Sequence, residues 1–163
     1  VSAAIVYEGP SALGPDPIVV LVTASSTNIK TGDMCQSYIL LRDIAPIEAS
    51  RSGADVSICG ACRHRGDDGG KGRSCYVGLL TGGPHAVWKA YQAGKCEARR
   101  PADVLAGQHV RIGSYGDPAA LPAAFWRRAL AGAAGWTGYT HQWATCDQRF
   151  RDLCMASVDT PDE

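Results

Sequence analysis

Cys59, Cys62 and Cys75 are spaced C-x2-C-x12-C. A Cys-x-x-Cys turn aims two sulfurs at one point, and Gly60 inside it frees backbone amides to face the thiolates. The loop from Cys62 to Cys75 is rich in Gly, Asp and Lys and has no side chains that could build a core. It must therefore be tethered at both ends, and a metal held by Cys62 and Cys75 would do so. The donor set leaves the metal open. Zinc would take His64, His85 or Cys96 as a fourth ligand. A four-iron cluster would use the three cysteines and leave one iron free for a small molecule. A redox-active or incidental thiol pair is the third reading. Arg63 and Arg65, beside the cluster, are expected to favour the thiolate forms.

The remaining cysteines, Cys35, Cys96, Cys146 and Cys154, bring the count to 7. An odd number argues against a fully paired extracellular disulfide framework. No basic and apolar leader is visible at the N-terminus, so a reducing, cytoplasmic compartment is expected. Cys35 and Cys154 read as packed thiols, and Cys96 and Cys146 as exposed or spare ligands. Lys and Arg (16) balance Asp and Glu (16) in 163 residues, which leaves no general footprint for nucleic acid. The apolar runs are too short to cross a bilayer. No G-x-S-x-G or Walker A order occurs, so a nucleophilic hydrolase and a P-loop are both unsupported.

The elements that must position these groups read as one α/β domain over residues 1–163, with the Cys segment, about 56–78, inserted in it. Residues 17–23 form a buried strand, followed by a polar loop and a helix over 33–41. A strand–loop–helix of this kind can cradle an anion at the helix N-terminus, which makes Asn28, Lys30 and Thr31 candidate cofactor contacts. A short helix runs over 84–94, with Pro84 near its start. Strands follow over 109–114, 136–143 and 153–158, with a helix over 122–131 between the first two. This order implies βαβ units and a mostly parallel sheet. The four tryptophans, 88, 126, 136 and 143, are expected to anchor the core.

Ligands of such sheets bind at the carboxyl ends of the strands. Asp117, His141 and Asp159 each fall near such an end. Asp117 and His141 are the candidate catalytic residues, with Gln142 as a hydrogen-bonding partner in the same mouth. The bland alternatives are a helix-capping Asp117 before Pro118 and a core His141 between Tyr139 and Trp143.

The Cys cluster ending in Cys75-Tyr76-Val77, the segment 111–118 and the segment 138–143 (Gly-Tyr-Thr-His-Gln-Trp) resemble an uncharacterised family of bacteriophage-encoded proteins, over about residues 28–159. The order of parts also has a weak similarity to the radical SAM superfamily. That resemblance implies a partial TIM-barrel-like sheet with an irregular Cys-rich loop. It also implies an iron–sulfur cluster on Cys59, Cys62 and Cys75, with S-adenosylmethionine as a possible second cofactor. Tyr115, Gly116 and Asp117 stand where that superfamily has a Gly-rich acidic turn, here with Asp for Glu and one Gly fewer. The substrate would be a small molecule or nucleotide in the host cytoplasm, and a partner chain would complete the sheet. The alternative is a non-enzymatic, zinc-stabilised binding module for a protein or nucleic acid, with contacts from Arg63, Arg65, Lys71, Arg73, Arg99 and Arg100. Whether the chain is an enzyme is left open by the sequence.

Overall fold

Every residue of the apolar run Ile18–Thr23 is buried. A strand buried on both faces needs paired neighbours and cover above and below. In the computed structural model, which describes residues 3–24, 32–66, 71–80 and 83–162, this strand is β2. It lies between β1 (Ala3–Gly9) and β3 (Cys35–Leu41), antiparallel to both. Beyond β3 the sheet turns parallel, through β5 (His109–Tyr115) and β6 (Gly135–Thr140) to β7 (Met155–Ala156). On the opposite edge, β4 (Glu97–Ala98) pairs in parallel with β1. The seven-stranded order β4-β1-β2-β3-β5-β6-β7 is mixed, mostly parallel and open.

The α/β class and the parallel second half agree with the sequence reading. The sheet is open, with the two short strands β4 and β7 at its edges, and does not close into a barrel. Helices α1 (Pro46–Ser52), α2 (Val56–Cys59), α3 (Gly83–Gln92) and α4 (Pro101–Leu105) lie in the long connection from β3 to β5. Helix α5 (Ala123–Ala129) makes the β5-to-β6 crossover, and its Trp126 is buried, with the indole N–H donating to the Pro118 carbonyl at 2.9 Å. Among the described residues no helix is long and apolar enough to cross a membrane.

Several local expectations are corrected. The helix over 33–41 is strand β3 instead. Its run from Tyr38 to Leu41 fits neither periodicity well, and pairing with β2 from Gln36 to Leu41 decides the outcome. With no helix there, the anion cradle loses its amides; Asn28, Lys30 and Thr31 themselves lie outside the described residues. The strand expected over 136–143 stops at Thr140, before His141, and the one over 153–158 shrinks to β7. Of the four tryptophans only Trp126 is fully buried; Trp88 is half-buried, and Trp136 and Trp143 are exposed.

The end of β5 is irregular in a way that shapes the site. Gly113 has φ +69° inside the strand, and the β3–β5 register slips between Gln36 and Tyr38. The bulge is pinned by the Gly113 N–H donating to Ser37 Oγ at 2.9 Å and by Ser114 Oγ donating to Gln36 at 2.6 Å. Gly116 has φ +79°, and a Cβ there would stand 2.7 Å from the Ile39 carbonyl oxygen. Gly107 has φ +69° with open space around it. Both Gly→Ala changes carry a backbone cost of about 1 kcal/mol, but only Gly116→Ala adds a collision with β3. Urea denaturation is therefore expected to show a clearly larger loss for Gly116→Ala than for Gly107→Ala.

Candidate functional site

The Cys segment is built by backbone hydrogen bonds rather than by a core. Helix α2 is a single turn that ends at Cys59. Gly60 then reverses the chain at φ 56°, ψ −134°, with its N–H donating to the Val56 carbonyl. A 3-10 turn, Arg63–Arg65, follows. The amides of Ser74 and Cys75 both donate to the His64 carbonyl, at 3.2 and 3.0 Å, which returns Cys75 to the start of the loop. The Arg73 guanidinium fixes this return by donating to the carbonyls of Cys75 and Val77. Arg65 reaches the other way, to the buried Asp55 at 2.9 Å and to the Gly53 carbonyl at 2.7 Å.

Cys59, Cys62 and Cys75 consequently line one cavity of about 370 Å³. Tyr115, Gly116 and Asp117 at the end of β5, and His141 just past β6, line the same cavity. The carboxyl ends of two neighbouring parallel strands thus face the sulfurs, as expected for this class of sheet. Arg111, Tyr76 and Tyr139 form further wall, with Arg111 donating to the Tyr76 hydroxyl at 2.8 Å.

The thiols do not behave as the neighbouring arginines suggested. Burial pushes Cys59 well above the usual thiol range, and Asp55 and the other two cysteines push it further. Burial also raises Cys62, partly offset by the backbone N–H groups of His64 and Arg65. Arg65 spends its charge on Asp55, and Arg63 lies toward Asp159 at 3.7 Å. What favours a thiolate here is the backbone of His64 and Arg65, not an arginine side chain.

Asp117 is buried, and its carboxylate is surrounded by donors. Oδ1 accepts from the Ala119 N–H at 2.9 Å and the Thr140 hydroxyl at 2.7 Å, and Oδ2 accepts from the His141 N–H at 2.8 Å. The Gln142 amide lies 3.5 Å from Oδ2. The Asp117 N–H donates to the Ile58 carbonyl at 2.6 Å. Gln142 completes the link: its Nε2 donates to the Cys59 carbonyl and its Oε1 accepts from the Ala61 N–H. Asp117 and Gln142 are therefore positioning residues for the Cys-x-x-Cys turn, and Asp117 also caps the following turn, as its Asp-Pro sequence allows.

His141 projects from the end of β6, with Nε2 at 3.0 Å from Ser157 Oγ. Its ring meets the His64 ring edge-on at a centroid distance of 5.7 Å. His64 in turn bonds Ser74 through Nδ1 and Asp159 through Nε2. From sequence alone Asp159 is only a strand-end residue, and His64 only one of three candidate fourth ligands of the sulfur site. Each carried a chemical signal in sequence, but their convergence with His141 depends on three separate segments. His85 on α3 and Cys96 beside β4 do not line the sulfur cavity, and β4 is the far edge of the sheet. Cys35 is a buried thiol, and Cys96, Cys146 and Cys154 are half-buried. Comparison with protein-family models, with curated proteins and with solved structures finds no match to this chain.

Two outcomes follow from these contacts. Asp117→Asn turns an acceptor-only group into one whose NH2 must face N–H donors, and is expected to cost about 3 kcal/mol in urea denaturation. The Cys154 thiol is pushed up to about 12 by burial, with Asp117 and Cys146 adding to the shift. The folded state therefore keeps this proton longer than the unfolded state does. The associated stability is complete below the ordinary thiol value of 9.0 and is lost as pH rises toward about 12. Replacing Cys154 by Ala should flatten part of that alkaline loss, read from denaturation midpoints taken on both sides of 9.0.

Proposed function

We propose that the chain is an iron–sulfur-binding protein of a phage type, radical SAM-like in its chemistry, acting on a small molecule or nucleotide held beside the cluster. The observation that carries this reading is the shared cavity: Cys59, Cys62 and Cys75, drawn from both ends of a long loop, face the carboxyl ends of β5 and β6 across it. Three cysteines on one cavity suit a four-iron cluster, which takes three thiolates and leaves one iron open toward the cavity.

Such a cluster would supply one-electron chemistry to a ligand at that open iron, which is the place for S-adenosylmethionine in this reading. The chain's own residues do the rest. Asp117 and Gln142 hold the Cys-x-x-Cys turn against the strand ends. Tyr76, Tyr139 and Arg111 offer aromatic faces and a guanidinium to a planar or anionic ligand. His141 brings its ring to the cavity wall, with Ser157 Oγ 3.0 Å from its Nε2. A cluster of this kind goes with a reducing, cytoplasmic compartment. The zinc-module alternative has weaker support, since Arg65 and Arg73 are spent on internal carboxylate and carbonyl partners rather than on a basic surface.

Anaerobic purification tests the reading. The expected protein is brown and carries about four irons and matching sulfide per chain, and Cys59→Ser, Cys62→Ser or Cys75→Ser each strips most of the iron. Colourless protein loaded with zinc, or iron retained in all three variants, would overturn it.

A further inference from the structure

A second group of ligand atoms lies beside the sulfur cavity and shares none of its cysteines. His64, His141 and Asp159 each bring one ligand atom within 4.8 Å of the others. They come from the 3-10 turn of the Cys loop, from the residue after β6 and from the segment beyond β7. We propose that these three residues bind a first-row divalent cation of the zinc type, and that the ion clasps the loop and the post-β7 segment together at the rim of the cavity.

Three features of the arrangement carry this. The donor set of two imidazoles and one carboxylate is a common zinc triad, and three protein ligands leave a fourth position for water or for an anionic group of a bound molecule. Each imidazole also has a hydroxyl partner. Ser74 Oγ sits 2.7 Å from His64 Nδ1, and Ser157 Oγ sits 3.0 Å from His141 Nε2. Bonds of this kind fix the tautomer and the ring direction of a metal-binding histidine. For His64 the assignment is direct: with Nδ1 on Ser74, the nitrogen facing Asp159 at 2.8 Å is Nε2. Third, the site is positioned where an ion would have a consequence, because His141 and Ser157 line the sulfur cavity while Asp159 does not. The link across the rim includes the His64–Asp159 contact, the longer approach of Arg63 to Asp159 at 3.7 Å and the Ser157–His141 contact. Arg63 is mostly exposed, so it can swing away when a cation takes the carboxylate. The inference does not depend on what the sulfurs hold.

The test uses zinc and cobalt(II) as the probes, on anaerobically purified chain carrying whatever occupies its sulfur site. Competition with a chromophoric chelator should show one zinc equivalent whose affinity falls at least ~tenfold in Asp159→Asn and in His64→Ala. The cobalt(II) spectrum lost on Asp159→Asn substitution should contain ligand-field bands and no thiolate charge-transfer band. Zinc should also slow proteolysis of the segment beyond β7 in the wild type and not in Asp159→Asn. The proposal is overturned if both variants bind zinc as the wild type does, or if the lost cobalt spectrum carries the thiolate band. Loss of iron in the cysteine variants bears on the sulfur centre alone, so failure of either reading is recognised separately.

Discussion

One buried carboxylate holds the site together. Asp117 stands at the end of β5, and its two oxygens take hydrogen bonds from Ala119, Thr140 and His141. Its own N–H reaches back to Ile58, immediately before the first cysteine. Burying a carboxylate is costly unless donors surround it, so the ends of β5 and β6 must come together or the group is stranded. Gln142 extends the same lattice to both sides of Gly60. Gly60 leaves the space this needs, since a Cβ there would meet the Gln142 amide at 2.6 Å.

This dependence explains a division of labour in the sheet. The antiparallel half brings the wholly buried β2 to an apolar core that also takes Val110, Ile112 and Trp126 from the parallel half. The parallel half supplies strand ends pointing the same way, and those ends meet the sulfurs. The Cys segment adds Ile58 to the core, with Cys59 and Val77 packed against it, and is fastened further by backbone and side-chain hydrogen bonds. Its geometry is therefore set by directional bonds, which specify angles more narrowly than apolar burial does. The β5 bulge belongs to the same scheme: Gly113 and Gly116 let the strand turn its last residues under β3 and toward the cavity, where an ordinary strand would run straight past.

The legible parts of the sequence were those with local signals. The Cys spacing, the Pro-led α3 and the β5–α5–β6 unit could be read because each announces itself within about ten residues. The segment 33–41 could not, because its apolar residues fit two periods and its partner strand lies outside it. Strand β1 went unread for a similar reason: Ala3–Gly9 is short and only partly buried, and it exists as a strand by pairing with β2. Asp117 is the instructive case. Its cap on Ala119 is written in the Asp-Pro pair, but its bonds to Thr140 and His141 cross more than twenty residues and leave no local trace. The aromatic content misled in the same way, since Trp136 and Trp143 are exposed rather than in the core.

The state of the thiols links the fold to its proposed cargo. A buried neutral thiol packs as a small apolar group, so the Cys segment can close with Cys59 and Cys62 protonated. Burial raises both groups, which means that an incoming metal must displace their protons against an unfavourable environment. The metal's own positive charge reverses that balance, because it stabilises the thiolates that burial disfavours. The amides of His64 and Arg65, already turned toward Cys62, are placed to accept the new negative charge without rearrangement. The same backbone would thus suit both the neutral thiol and the thiolate of the proposed centre.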